Sequence, residues 1–362
     1  MSILKDFISN ISFFNKKTNM EKEIYEQSSI IKHIVRKYIK QKLIVNIDIP
    51  YNIKKIIFIA SGSSYHSAAI ASFFFNKIKG IEALYYYSSE FVLHNSIEAD
   101  NDVLFVFISQ SGETSDTNIA LSLIKSKTQN TLALTNTKNS SLYNNANYKI
   151  LTYAGEEKSI ASTKAFGTQL FCLFLLAAKI MQEKNISSSN LIEELINLPK
   201  IVKKAFVKRN SVFNIAKRIF EYENIVLLST GLYYPLAREG ALKIKETSYI
   251  NTSAYPMGEF LHGHIALLNK KSAVLVLCDY DSSSFAENVI DIIRKNYSSD
   301  CYIFTNDLQF NNYKENIIYQ PETNKIDLLF TYMVLLQLLA LDIAMLLKKD
   351  VDNPKGLSKV VK

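Results

Sequence analysis

Three segments of this chain recur at almost one spacing. "FIASGSSYHSA" (Phe58–Ala68) is matched by "LLSTGLYYPLA" (Leu227–Ala237): an apolar run, a small residue, Gly, two residues, Tyr, two more, then Ala. "VLFVFIS" (Val103–Ser109) is matched by "AVLVLCD" (Ala273–Asp279), and "LALTN" (Leu132–Asn136) by "YIFTN" (Tyr302–Asn306). The offsets are 169, 170 and 170 residues (58 to 227, 103 to 273, 132 to 302). Agreement at one period is the signature of two copies of one unit. Within each copy, short apolar runs alternate with longer helix-like ones, the pattern of an α/β fold with a mostly parallel sheet. In the first copy the expected strands are Lys55–Ala60, Glu82–Tyr87, Val103–Ile108, Thr131–Thr135 and Ile150–Tyr153. Expected helices are His66–Ile78, Thr114–Lys125 and Thr163–Lys184. The division is an N-terminal extension and helix over 1–40, a first domain over 41–185, a second over 186–348, and a C-terminal tail over 349–362. The boundary between the copies falls in the polar, helix-forming stretch Glu183–Arg209.

The copies differ at their strand-to-helix turns. Copy one has Ser63 and Ser64 where copy two has Leu232 and Tyr233, and Ser109-Gln110-Ser111-Gly112 where copy two has Asp279-Tyr280-Asp281-Ser282. In open α/β sheets such turns lie beyond the carboxyl ends of the strands, where helix N-termini offer free N–H groups to anions. Gly62 and Gly112 let the backbone approach a ligand, and Ser64, Ser109, Gln110, Ser111 and Thr114 surround them. Serines also cap helices for purely local reasons, but two such turns in one copy favour a phosphate site there and only there. No lysine follows in P-loop fashion, so a nucleoside triphosphate is not implied.

Composition narrows the remaining classes. At 362 residues and 48% hydrophobic, the chain can bury two cores. Its net charge of +8 is carried by scattered lysines and forms no stripe, so nucleic-acid binding is not expected. Cys172, Cys278 and Cys301 are isolated in apolar runs, with neither metal-ligand spacing nor an even count for disulfides. Buried free thiols are expected, and no metal. Leu328–Leu347 is nearly all apolar, yet Gln337 and Asp342 interrupt it, and a carboxylate at mid-membrane costs about 2.5–3.5 kcal/mol. A buried core helix is expected instead. The first residues lack the apolar run and cleavage-type ending of a leader, and a cytoplasmic protein is expected.

The second half holds most of the acid–base groups, in "REGALKIKETSYINTSAYPMGEFLHGHIALL" (Arg238–Leu268). On a helix Glu239, Lys243 and Glu246 share one face, and spacing alone suggests an exposed ion-pair stripe. Glu259, His262 and His264 then fall in a glycine-containing loop without period. A carboxylate, a lysine and a histidine near a sugar phosphate suit proton abstraction next to a carbonyl. "EEKSIASTKAFGTQ" (Glu156–Gln169) reads as a hydroxyl-rich helix start, and "DVDNPKGLSKVVK" (Asp350–Lys362) as a frayed end.

Taken together, "SGSSYHSA", "SQSGETSDT", "ASTKAF", "EGALKIKETSYI", "GEFLHG" and "DVDNPKGLSK" resemble, in order, the tandem sugar-isomerase (SIS) proteins. Within them they resemble the isomerase half of the glutamine–fructose-6-phosphate aminotransferases (glucosamine-6-phosphate synthases), from Met20 to Lys362. The resemblance implies two flavodoxin-like SIS domains and a homodimer without cofactor. It implies that Ser64, Ser109, Gln110, Ser111 and Thr114 hold the sugar phosphate, and that Ser162 and the backbone of Ile160 contact sugar hydroxyls. Glu246 would move the proton between C1 and C2 with Lys243 assisting, and His262 would open the ring from the neighbouring subunit. Lys359 would form a Schiff base with the open-chain ketose, which overturns the frayed-end reading of the tail. Two features depart from the synthases: "EEKSIAS" differs before Ala-Ser-Thr-Lys, and His264 stands where proline is usual. Only nineteen residues precede the resemblance and no N-terminal cysteine is present. Ammonia, free or from a separate glutaminase, is therefore the expected nitrogen source. The implied reaction interconverts fructose 6-phosphate plus ammonia with glucosamine 6-phosphate. A glucosamine-6-phosphate deaminase or fructosamine-6-phosphate deglycase is the alternative enzyme, and a non-catalytic sugar-phosphate sensor the alternative of another class.

Overall fold

The structure, a computed structural model, describes residues 17–94, 99–297, 299–310, 316–321 and 324–359. The segment on which the leader question turns lies largely outside them. The chain forms two compact units. One comprises Gln27–Glu157, Lys164–Lys200 and the chain from Ser358 on; the other comprises the chain up to Glu26, Lys158–Thr163 and Ile201–Leu357.

The first unit is built on five strands, β1 (Lys55–Ala60), β2 (Glu82–Tyr87), β3 (Val103–Ser109), β4 (Thr131–Thr135) and β5 (Tyr148–Leu151). All pairings are parallel, in the order β2-β1-β3-β4-β5. Residues of β1, β3 and β4 are apolar and buried nearly throughout, as in a parallel sheet covered on both faces. The helices of this unit include α1 (Asn19–Tyr38), which enters it at Gln27, α2 (Gly62–Phe75), α3 (Ser88–His94), α4 (Ser115–Lys125), α5 (Ser141–Asn145) and α6 (Lys164–Glu183). Two expected boundaries move. Helix α2 starts four residues earlier than its periodicity suggests and ends at Phe75, because the Asn76 amide exchanges two hydrogen bonds with the Ala83 backbone. The last strand runs Tyr148–Leu151 rather than Ile150–Tyr153, since Tyr153 takes a left-handed φ of 49° that no strand tolerates.

The second unit repeats this plan with β6 (Asn224–Ser229), β7 (Asn251–Pro256), β8 (Ser272–Leu277), β9 (Asp300–Thr305) and β10 (Ile317–Tyr319) in the order β7-β6-β8-β9-β10, again all parallel. Between and after α7 (Ser189–Ala205) and α8 (Arg209–Ile219), its helices are α9 (Tyr234–Ser248), the single turn α10 (Met257–Phe260), α11 (Ser283–Tyr297) and α12 (Lys325–Leu346). Strand pairing corrects the repeat. Lys55 pairs with Glu82 and Val103, and Asn224 with Asn251 and Ser272. Thus 55→224, 82→251 and 103→272 are all offsets of 169. Val103 answers to Ser272, not Ala273, because two unbroken apolar runs slide past each other without penalty in sequence. Continued into the turn, Ser109 answers to Cys278, Gln110 to Asp279, Ser111 to Tyr280 and Gly112 to Asp281.

Helices α6 and α12 are long and apolar enough to cross a membrane, but 83% and 100% of their apolar windows are buried inside the fold. The core-helix reading of Leu328–Leu347 holds, with Asp342 of α12 paired to Arg209 of α8. The three cysteines are buried and free; burial pushes the thiols of Cys278 and Cys301 up to about 12.

Candidate functional site

In the first sheet the chain leaves β1 toward one edge and β3 toward the other, so the loops after these two neighbours flank the point where ligands bind in this topology. Both loops are the hydroxyl-rich turns. Ser61 sits at the N-cap of α2 and Thr114 at that of α4, yet neither side chain caps its helix. Simple capping therefore does not account for these hydroxyls. Gly62 adopts a φ of +57° with open space where a Cβ would be, and the Ser64 hydroxyl makes no hydrogen bond to protein among the described residues. In the second loop, Ser109 Oγ accepts the Gly112 N–H at 3.1 Å and lies 2.9 Å from Thr114 Oγ1. Ser111 Oγ accepts the Glu113 N–H. Gly112 is required on two counts: its φ is +70°, and a Cβ there would lie 2.1 Å from Ser140 Oγ. Its carbonyl accepts from Leu142 N–H and from the Asn118 amide, so the turn is pinned to α4 and α5.

Beside this turn a cleft of about 610 Å³ is walled by Gln110, Asn136, Thr137, Tyr153, Glu157 and Lys359. The tail is therefore not frayed up to this point. Lys359 Nζ lies 2.6 Å from Glu157 Oε2, and the Glu157 side chain is completely buried while that of Lys359 keeps 26% of its exposure. Glu157 Oε1 accepts the Ala165 N–H at 3.0 Å, in the first turn of α6.

The second unit positions the remaining candidates. On α9, Lys243 Nζ lies 2.6 Å from Glu246 Oε2 and 3.5 Å from Glu239 Oε1. This is not the exposed stripe that spacing suggests, since Glu239 and Lys243 are 3% and 1% exposed. Gly240 explains the burial: a Cβ there would come within 2.9 Å of Leu336, so glycine lets α9 lie close against α12. Glu246, its side chain 22% exposed, is the one of the three that still meets solvent. Helix α9 closes with Tyr249 in a left-handed conformation, and the Tyr249 hydroxyl accepts the Lys355 N–H at 2.6 Å.

The segment Lys158–Thr163 is fastened by main-chain bonds. Glu23 of α1 accepts from Lys158 and Ser159 N–H, and Ile160 N–H donates to the Asp352 carbonyl. Only the carbonyl of Ile160 is left to meet a ligand, and the Ser162 hydroxyl has no protein partner among the described residues. Asp352 in turn caps α1 through the Asn19 and Met20 N–H groups. Glu259 lies on the one-turn helix α10, not in an irregular loop; a single turn is too short to show a 3.6-residue period. His262 follows it, exposed. His264 stacks on Tyr255 at 4.2 Å. Sequence reasoning missed Glu157, Glu23, Asp352 and Tyr249. The Glu157 partner is 202 residues away, and no local pattern announces it.

The fold agrees with the comparisons. The model of the SIS domain matches residues 51–179 and again 218–347. The glutamine–fructose-6-phosphate aminotransferase (isomerizing) of Campylobacter jejuni is 34% identical over 351 residues, covering 94% of this chain and 58% of its own. That of Wigglesworthia glossinidia brevipalpis is 35% identical over 367 residues, covering 96% and 59%. The chain thus spans a little over half the length of these relatives. Among solved structures, the C-terminal domain of glucosamine-fructose-6-phosphate aminotransferase from Francisella tularensis superposes with a TM-score of 0.86 at 29% identity, covering 94% of this chain and 98% of that one. Glucosamine-6-phosphate deaminase from Thermotoga maritima shares the fold, with a TM-score of 0.77 at 21% identity over 95% and 99%. Two parallel sheets of one topology, each within a matched segment, place this chain in the SIS family, with the domain present twice.

Proposed function

We propose that this chain is a sugar-phosphate isomerase that joins fructose 6-phosphate and ammonia to give glucosamine 6-phosphate, and catalyses the reverse. The observation that carries the reading is the position of Lys359. The tail brings an amine into the cleft walled by Gln110 of the hydroxyl-rich turn. In this reading Ser64, Ser109, Gln110, Ser111 and Thr114 grip the phosphate, and Ser162 and the Ile160 carbonyl meet sugar hydroxyls. Lys359 condenses with C2 of the open-chain ketose, and ammonia displaces the lysine from that imine. Glu246 then takes the proton from C1 and returns it to C2, its carboxylate held in orientation by Lys243. His262, exposed, opens the sugar ring in the site of a second copy in this reading, so the working form is a homodimer. Neither a metal nor a cofactor enters these steps, and ammonia arrives free or from a separate glutaminase in the cytoplasm. The high similarity to the aminotransferases over nearly the whole chain supports the synthetic chemistry.

The test is to incubate the chain with fructose 6-phosphate plus ammonium, and separately with glucosamine 6-phosphate. Hexosamine formation in the first, abolished by Glu246→Gln, is expected. Ammonia release at low ammonium that outpaces synthesis would assign the deaminating direction instead. Turnover of neither sugar would overturn both enzymatic directions; retained binding without turnover would leave a sensor.

A further inference from the structure

Lys359 does not stand alone in its cleft. A lysine must shed a proton before it attacks a carbonyl, and an ammonium facing solvent has no fixed group to receive that proton. Here Nζ lies 2.6 Å from Oε2 of a glutamate whose side chain is fully buried, and the other oxygen of that glutamate is anchored on the Ala165 N–H. Burial and the anchor hold the carboxylate in one orientation, with a single oxygen aimed at the amine. The neighbouring titratable groups on the cleft wall are His33 of α1, Lys138 after β4, and Tyr153 and Glu156 just before Glu157.

We propose that Glu157 is the proton acceptor and latch for Lys359, a role that rests on the Schiff-base reading of this lysine. The Lys359 ammonium passes one proton to Glu157, giving a neutral amine and a carboxylic acid. The amine nitrogen then bonds to the carbonyl carbon of the open-chain ketose phosphate to form a carbinolamine. The carbon–oxygen bond breaks, the hydroxyl departs as water with the proton returned by Glu157, and a protonated imine remains on Lys359. Proton and charge balance: one ammonium and one carbonyl become one iminium and one water. Before substrate arrives, the same ion pair keeps the end of the tail seated in the cleft.

The experiment uses the full chain with fructose 6-phosphate and cyanoborohydride, which reduces the imine to a stable amine, and follows the mass increment on Lys359 against pH. The comparison is between the parent chain, Glu157→Gln and Glu157→Asp. Glutamine keeps a carbonyl oxygen for the Ala165 N–H, so α6 retains its first-turn contact, but it accepts no proton. Labelling of Glu157→Gln is expected to fall at least tenfold near pH 7 and to climb with pH as solvent hydroxide takes over. Glu157→Asp, with a carboxylate drawn back by one methylene, is expected to label severalfold more slowly than the parent while keeping its pH profile. Parent-like rates and pH profile in Glu157→Gln would overturn the role of Glu157 and leave Lys359 untouched. An aspartate variant as slow and as pH-dependent as the glutamine variant would also count against proton transfer. Absence of any adduct in the parent chain would sink the Schiff-base reading itself, and this inference with it.

Discussion

Lys243 is an ammonium with 1% of its surface exposed, held between two carboxylates on its own helix. Removing one member of a buried ionic group leaves the others uncompensated and costs about 3–5 kcal/mol. Lys243→Met is therefore expected to lower the urea unfolding free energy by about that amount, because Glu239 stays 3% exposed with its cation gone. An unfolding midpoint equal to that of the parent would show that the trio is not a structural unit. Legibility at this scale was uneven. Spacing put Glu239, Lys243 and Glu246 on one face, but whether that face met solvent was decided by Gly240 and by Leu336 nearly a hundred residues on. The hydroxyl-rich turns were more legible, because glycine between hydroxyls after an apolar run constrains a short stretch by itself. Glu157 was not legible at all: a single glutamate gains meaning only once the tail folds back onto it.

Elements were read better where their edges carried chemistry. Strands β1 and β4 fall on the expected residues because apolar runs bounded by polar ones define a buried parallel strand, and the half-buried edge strand β2 does so as well. Edges moved where a single residue made a long-range choice, as Asn76 does at the end of α2. The apolar helix α12 was expected to be core, and its one acid shows how it tolerates that. Asp342 is 1% exposed and paired to Arg209 of α8; burial pushes its carboxyl up to about 6, while Arg209 pulls the other way. The sign follows from linkage. A carboxyl raised from 3.8 to about 6 on folding binds its proton more tightly in the native state. Its contribution to stability is full below about pH 4 and fades as pH rises through about 6. The unfolding free energy of the parent chain minus that of Asp342→Asn should therefore fall between pH 4 and pH 7, by about 3 kcal/mol at most. A difference that grew over this range, read from urea unfolding at several pH values, would mean that the Arg209 pair outweighs burial at Asp342.

The two units share one topology, yet their switch points are lined differently. In the second unit the turn after β6 keeps the glycine, Gly231 with φ of +49°, but Tyr233 fills the position of Ser64 and is 3% exposed. The turn after β8 places Asp279 where the first unit has Gln110. The Asp279 carboxylate closes a capping box with Ser282, and Lys325 spans Asp279 and Asp281 at 3.6 and 2.6 Å. Carboxylates thus occupy the helix N-terminus that would otherwise attract an anion, and they repel phosphate in addition. The duplication has kept the sheet, which the core of each copy enforces, and has changed the residues at the switch point. It follows that calorimetric titration with a hexose 6-phosphate should give one site per chain, not two. Ser109→Ala combined with Thr114→Ala should remove that site, while Asp279→Asn should leave its affinity within about twofold, since Asp279 belongs to the turn of the other unit. A stoichiometry of two, or loss of binding in Asp279→Asn, would show that the second switch point still takes phosphate and that its own carboxylates do not close it.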